Sequence, residues 1–365
     1  MTMQSVRIVH CTWLLGAGLF LALGSLGAQA EETQRFDLGD FELESGEVIE
    51  DAYLTYVTHG QLNEARDNAI LVLPSLMADH TRHDFLIGEG LALDPDEYFI
   101  IAANTLGNGH AISPSNSESQ PGMEFPQFSI RDMVNAQHEL IQEQFELDEL
   151  FSVVGLSMGG MQAYEWAASY PDVTESIVPI ITMARTTGWV TAIWETQRQA
   201  IMQDDAWQGG DYDEQPDGFR SAIGSLMVWV RHWHWVDEEF ADDNMDAVDW
   251  LHEQEDALME VWDANNYIYQ TRAEDRHDIS EAPGLEIGYE EALASIEAHA
   301  LIMPGTKDIL HPPDDSRLAA EQMPHARLAE IDSDHGHLGG GGVDQDDIDF
   351  INEEMTSFFN ELRTQ

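Results

Sequence analysis

Lysine is almost missing from this chain of 365 residues. Lys307 is the only one, beside fourteen arginines. Against these 15 basic residues stand 69 acidic ones, for a formal net charge of -54. With no basic patch to neutralise phosphates, nucleic acid is excluded as a partner, and an anionic membrane surface with it. The acids are spread along the sequence rather than gathered in one tail. Such a surface is costly at low ionic strength and is relieved as salt shortens the Debye length to roughly 3 Å at 1 M. The composition therefore points to a protein built for a very salty medium. Disorder is not the reading, because 43% of residues are apolar and 9% aromatic, enough for a large core.

Cysteine is just as scarce. Cys11 stands alone, so no internal disulfide can form. It lies in a segment with Arg7 as its one charged side chain, an apolar run from Thr12 to Leu26, and Ala28-Gln29-Ala30 at its end. That is the three-part pattern of a secretory signal peptide, and the run is short for a membrane span. The expectation is a signal peptide at residues 1–30, cleavage after Ala30, and a periplasmic or secreted protein free of the membrane thereafter. An uncleaved N-terminal anchor is the alternative.

What remains alternates between two patterns. Residues 35–58 suggest a pair of β-strands. Short apolar runs at 69–74, 98–103, 150–154, 176–182 and 299–303 read as buried strands. Helical spacing follows at 130–144, with Asp132 in the first turn, and at 158–170, stopped by Pro171. Strands alternating with helices predict an α/β fold: a mostly parallel central sheet covered on both faces. Residues 187–292 differ, being rich in Trp, Met, Gln and acids at helical spacing. They read as a helical lid inserted between a first core part, 31–186, and a second, 293–365.

Gly155-Leu156-Ser157-Met158-Gly159 falls between one of these strands and the next helix. This is the context of a nucleophile elbow, where a sharp turn lifts a serine hydroxyl above the sheet beside a helix N-terminus. A serine nucleophile needs a base, and the base an orienting acid, in the chain order Ser, Asp, His. Asp308 follows the strand at 299–303, where such an acid belongs. Two histidines compete for the base, His335 and His337, and the residues alone leave the choice open. Metal binding is the rival chemistry, through His335 and His337 with Asp332 and Asp334, or through His232 and His234. No four-ligand spacing is evident, and a spacing of two on a helix puts ligands on different faces. There is no nucleotide-type glycine fingerprint either, so neither metal nor cofactor is expected.

Longer blocks carry a resemblance. Asp67-Asn68-Ala69-Ile70-Leu71, Asn104-Thr105-Leu106-Gly107, Ser129-Ile130-Arg131-Asp132-Met133-Val134, the elbow extended to Ala167, Gln197-Arg198-Gln199-Ala200-Ile201 and Asp263-Ala264-Asn265-Asn266-Tyr267 are similar to the homoserine O-acetyltransferase family of α/β-hydrolases. The likeness runs from Arg35 over most of the chain. It implies Ser157 as nucleophile, Asp308 as acid and His337 as base. Ser75-Leu76-Met77-Ala78 matches the family's oxyanion segment, so the N–H groups of Leu76 and Met158 should form the oxyanion hole. Arg198 matches an arginine that points into the family's pocket, and the lid often serves dimerisation, so a homodimer is implied. The family usually has an acidic residue directly after its catalytic histidine; here Leu338 stands there. Export would also part the enzyme from acetyl-CoA. The expected activity is hydrolysis of a small ester or related acyl substrate. O-acylation of homoserine from acetyl-CoA is the alternative, and an inactive binding module the third reading.

Overall fold

The computed structural model describes residues 33–285 and 287–364. The expected signal peptide and its cleavage site lie outside these residues. The sheet opens with β1 (Gln34–Glu42) and β2 (Val48–His59), an antiparallel pair with Gln34 opposite Tyr56. It continues with β3 (Ala69–Leu73), β4 (Phe99–Ala103), β5 (Ser152–Leu156), β6 (Ser176–Ile180), β7 (His299–Ile302) and β8 (Ala326–Leu328). The spatial order is β1-β2-β4-β3-β5-β6-β7-β8. From β4 to β8 every neighbouring pair is parallel.

Strand β3 shows why the middle of the sheet is spelled in unbroken apolar runs. Its Leu71 and Leu73 belong to one core, its Ile70 and Val72 to another on the opposite face. A parallel strand covered on both sides has no solvent face on which to alternate. The first core packs against α1 (Ile130–Glu139) and α2 (Met158–Ser169). At the start of α1, Ser129 caps the helix. It accepts from the Asp132 N–H, while Asp132 accepts from the Ser129 N–H at 2.8 Å. The helical pattern to residue 144 ends in a wider π turn at Leu140–Gln144.

The inserted residues form α3 (Gly188–Met202), α4 (Asp217–Trp229), α5 (Trp233–Glu239), α6 (Asp246–Met259), α7 (Ala264–Asp275) and most of α8 (Tyr289–Ser295). Helix α7 runs through the interior. Its Tyr267, Ile268, Gln270 and Thr271 are fully buried, and its Asn266 side chain holds both the N–H and the hydroxyl of Ser115 in a first-part loop. After β7 come α9 (Asp314–Gln322) and α10 (Gln345–Leu362). The latter lays Ile351, Met355, Phe358 and Phe359 on the second core. Among the described residues no helix is long and apolar enough to cross a membrane.

Candidate active site

The parallel topology gathers four loops at one edge of the sheet, since the chain leaves every parallel strand on the same side. Ser157 directly follows β5, Leu76 comes three residues after β3, Asp308 follows β7 and His337 follows β8.

Ser157 has φ 55° and ψ −117°, a conformation that L-residues avoid. Its surroundings impose it. The Ser157 N–H donates to the Ile180 carbonyl at 3.0 Å, and the Ser157 carbonyl accepts from the Thr182 hydroxyl at 2.7 Å and from the Gly160 N–H at 2.8 Å. The flanking glycines are required by space. A Cβ on Gly155 would lie 2.0 Å from the Gly159 carbonyl oxygen, and one on Gly159 would lie 2.0 Å from that of Leu73. Two backbone segments thus approach too closely for any side chain.

His337 Nε2 lies 2.9 Å from Ser157 Oγ, and its Nδ1 lies 2.6 Å from Asp308 Oδ2. The other Asp308 oxygen accepts from the N–H groups of Leu310 at 2.9 Å and His311 at 2.8 Å, which fixes the carboxylate plane. A carboxylate only accepts, so Nδ1 carries the proton and Nε2 is left to accept from the serine hydroxyl. All three side chains are buried. The structure therefore separates the two histidines that the residues alone leave level. His335 turns away: its Nδ1 meets Arg231 Nη1 at 2.9 Å and its ring lies over Trp235.

Behind His337 stands a histidine that motif reading passes over. The His311 ring lies edge-on to that of His337, centroids 4.8 Å apart, with Nδ1 3.1 Å from the Ile181 carbonyl. Burial first, then the neighbouring His337, lower its pKa to about 4. It stays neutral near pH 7 and packs against His337 without adding charge. Its only sequence signal is its position three residues after Asp308.

Leu76 lines the same cavity as Ser157. Met158 opens α2, so its N–H has no acceptor within the helix. The turn that carries Leu76 is held from α7: Gln270 accepts from the Met77 N–H at 2.8 Å and donates to the Leu106 carbonyl at 3.0 Å. Met77 itself has φ 56°. This tie between the insertion and the β3 loop leaves no mark in the sequence.

The cavity above Ser157 has a volume of about 410 Å³. Trp194 of α3, Leu226 of α4 and Leu258 of α6 wall it from the insertion, and Leu338 closes the side beside His337. No carboxylate lines it among the described residues. Arg198 is not there, contrary to the expectation from its sequence block. Its guanidinium is held by Asp275 at 2.6 Å and Glu195 at 3.2 Å, and it lines a separate cavity with Arg131 and Glu165. The buried guanidinium is thus held by the partly buried Asp275 and the half-exposed Glu195, away from the Ser157 pocket. Arg198→Met is expected to lower the unfolding free energy by about 2–4 kcal/mol, since it strands Asp275, and to leave KM unchanged. A raised KM at an unchanged melting temperature would return Arg198 to the substrate site.

The helix-face argument against a metal fails at His232 and His234. His232 precedes α5 as its N-cap, and ligand atoms of His232, His234 and Asp334 lie within 4.8 Å of one another. Asp334 Oδ1 faces His234 Nδ1 at 3.4 Å and also Lys307 Nζ at 3.0 Å.

Residues 68–339 match the family described as the alpha/beta hydrolase fold. The chain is 36% identical over 327 residues to a homoserine O-acetyltransferase of Nostoc punctiforme, covering 84% of this chain and 91% of that one. It belongs to the homoserine O-acetyltransferase-like family of α/β-hydrolases. A probable esterase of Corynebacterium glutamicum is 32% identical over 334 residues, covering 88% of this chain and 94% of its own. The solved structure of an acetylester hydrolase from the same organism superposes with a TM-score of 0.82 at 30% identity, covering 90% of this chain and 96% of that one. As a member of this family the protein is a serine acyl-transfer enzyme, hydrolase or acyltransferase.

Proposed function

We propose that the protein hydrolyses a small ester through an acyl-enzyme on Ser157. Ser157 Oγ attacks the ester carbonyl while its proton passes to His337 Nε2. Asp308 steadies the imidazolium through Nδ1–H. The oxyanion forms between the N–H groups of Leu76 and Met158. Collapse expels the alcohol, which takes the proton back from His337. A water molecule then repeats the sequence on the acyl-enzyme, losing its proton to His337, and the acid leaves with Ser157 restored.

The observation that carries hydrolysis over transfer is Leu338. It borders the cavity directly after His337, in a lining that contains no carboxylate among the described residues. The ammonium group of an amino acid acceptor would be desolvated there without a partner, at a cost of several kcal/mol. Water needs no such partner. The relative from Nostoc punctiforme supports the second reading, homoserine acetylation from acetyl-CoA. Turnover of an activated acetyl ester, measured with and without homoserine, separates the two. The expected result is hydrolysis without acetyl-CoA and no acceleration by homoserine. A clear rise in rate with O-acetylhomoserine as product would install the transferase.

Export through residues 1–30 and a salty medium belong to the same reading; Glu31 at the N-terminus of the purified protein would support the first. A second copy of the chain is the partner assigned to the insertion, where Trp189 and Trp233 are exposed.

A further inference from the structure

In a chain so poor in cations, most arginines sit against carboxylates: Arg131, Arg220, Arg317, Arg327 and Arg363 all do. Arg82 does not, and it lines the Ser157 cavity. Its Nε lies 3.3 Å from the Ser75 hydroxyl oxygen and its Nη1 donates to the Gly341 carbonyl at 2.8 Å. Both partners are neutral, and no carboxylate hydrogen-bonds or pairs with the guanidinium among the described residues. Nη2 reaches Gly341 so closely that a Cβ there would lie 2.6 Å from it. Ser75 is the residue before Leu76, so the cation borders the oxyanion segment itself. Burial, with no acid to offset it, lowers the pKa of Arg82 to about 10. Arg82 is partly buried, and a positive charge drawn out of water without a counter-ion is costly, a cost that a ligand supplying the missing charge offsets. The rest of the wall is largely apolar, including Trp194, Leu226, Leu258 and Leu338, and no other arginine or lysine lines the cavity among the described residues.

We propose that Arg82 is a specificity-determining residue that holds a carboxylate on the ester, so that the substrate class is an anionic ester rather than a neutral or zwitterionic one. The inference rests on the acyl-transfer reading of Ser157. It explains how the pocket recognises one end of a polar substrate while Leu338 leaves no place for an ammonium group. The guanidinium offers planar, charge-assisted donors suited to a carboxylate, in the cavity that Ser157 also lines.

The carboxylate can sit on the acyl part or the alcohol part, and two substrate pairs distinguish these. Mono-4-nitrophenyl succinate is compared with 4-nitrophenyl butyrate, and 3-acetoxypropanoate with propyl acetate. All four are measured at one salt concentration, high enough to screen the overall negative field. In at least one pair the wild type is expected to favour the carboxylate member in kcat/KM. Arg82→Gln is expected to cut that preference on the order of 10- to 100-fold, the range of one charged hydrogen-bonded contact. The loss should appear chiefly in KM, and Arg82→Lys should retain part of it. Equal loss on both members of each pair would reduce Arg82 to a tether for Ser75 and Gly341 and overturn the proposal, as would no wild-type preference in either pair. If the wild type turned over neither 4-nitrophenyl butyrate nor propyl acetate, and Ser157 resisted a fluorophosphonate, the acyl-transfer reading would fall, and this proposal with it.

Discussion

Ser157→Ala is expected to lower ester turnover by about 10³-fold or more, with the melting temperature nearly unchanged. The hydroxyl is one atom in a site whose geometry is held by other groups. The elbow is pinned by Ile180, Thr182 and Gly160 through the Ser157 backbone, which alanine retains. His337→Ala is expected to cost as much, because the imidazole both takes the serine proton at 2.9 Å and returns it to the leaving group. His335→Ala removes a ring whose nearest polar partner is Arg231, so turnover should change by less than about tenfold, as for a residue outside the proton path. Steady-state turnover of 4-nitrophenyl acetate by the three variants checks all of this. If His335→Ala were the inactive variant and His337→Ala active, the assignment of the base would be wrong.

That contrast also marks what the sequence discloses. The core strands are legible because a parallel strand buried on both faces must be written in unbroken apolar residues, as β3 and β4 are. The elbow is legible because the backbone contacts at Gly155 and Gly159 forbid side chains, so the spacing of glycines around Ser157 records a steric fact. His335 and His337 differ only in which way the chain turns at Gly336, with φ 64°, and that turn is set by Arg231 and His232 packed against it. Such a long-range contact has no local signature. Arg198 shows the same limit from the other side. Its sequence block resembles a pocket arginine, yet Asp275, 77 positions away, claims the guanidinium. The sequence pattern shows no strand β8 and no helices α9 and α10. The first is three residues long, and the acid-rich spelling of α10 hides the stripe of Ile351, Met355, Phe358 and Phe359 that meets the sheet. Gln270 and Arg82 act on the site from positions that no motif singles out.

The melting temperature is expected to rise by more than about 10 °C between about 0.1 and 2 M NaCl. For a domain of this size that corresponds to roughly 7 kcal/mol. The cause lies in particular helices as well as in the net charge of -54. On α6 the exposed Asp249 and Glu253 stand four residues apart. On α10 Asp349 and Glu353 repeat the pattern. Each such like-charge pair destabilises its helix by a few tenths of a kcal/mol at low salt. Longer-range repulsion between helices adds to this while the Debye length is about 10 Å, and fades as it shrinks toward 3 Å near 1 M. Screening of this kind should level off above about 1 M, whereas a general salting-out of apolar surface continues to grow with salt. Glu253→Lys provides a second readout. It turns the repulsion from Asp249 into attraction, so it should stabilise by about 0.5–1 kcal/mol at 0.1 M and by much less at 2 M. Thermal unfolding of both proteins across the salt range tests the argument. A melting temperature that is flat or falls with salt, or a Glu253→Lys effect independent of salt, would remove electrostatic repulsion as the cause of a salt-dependent stability.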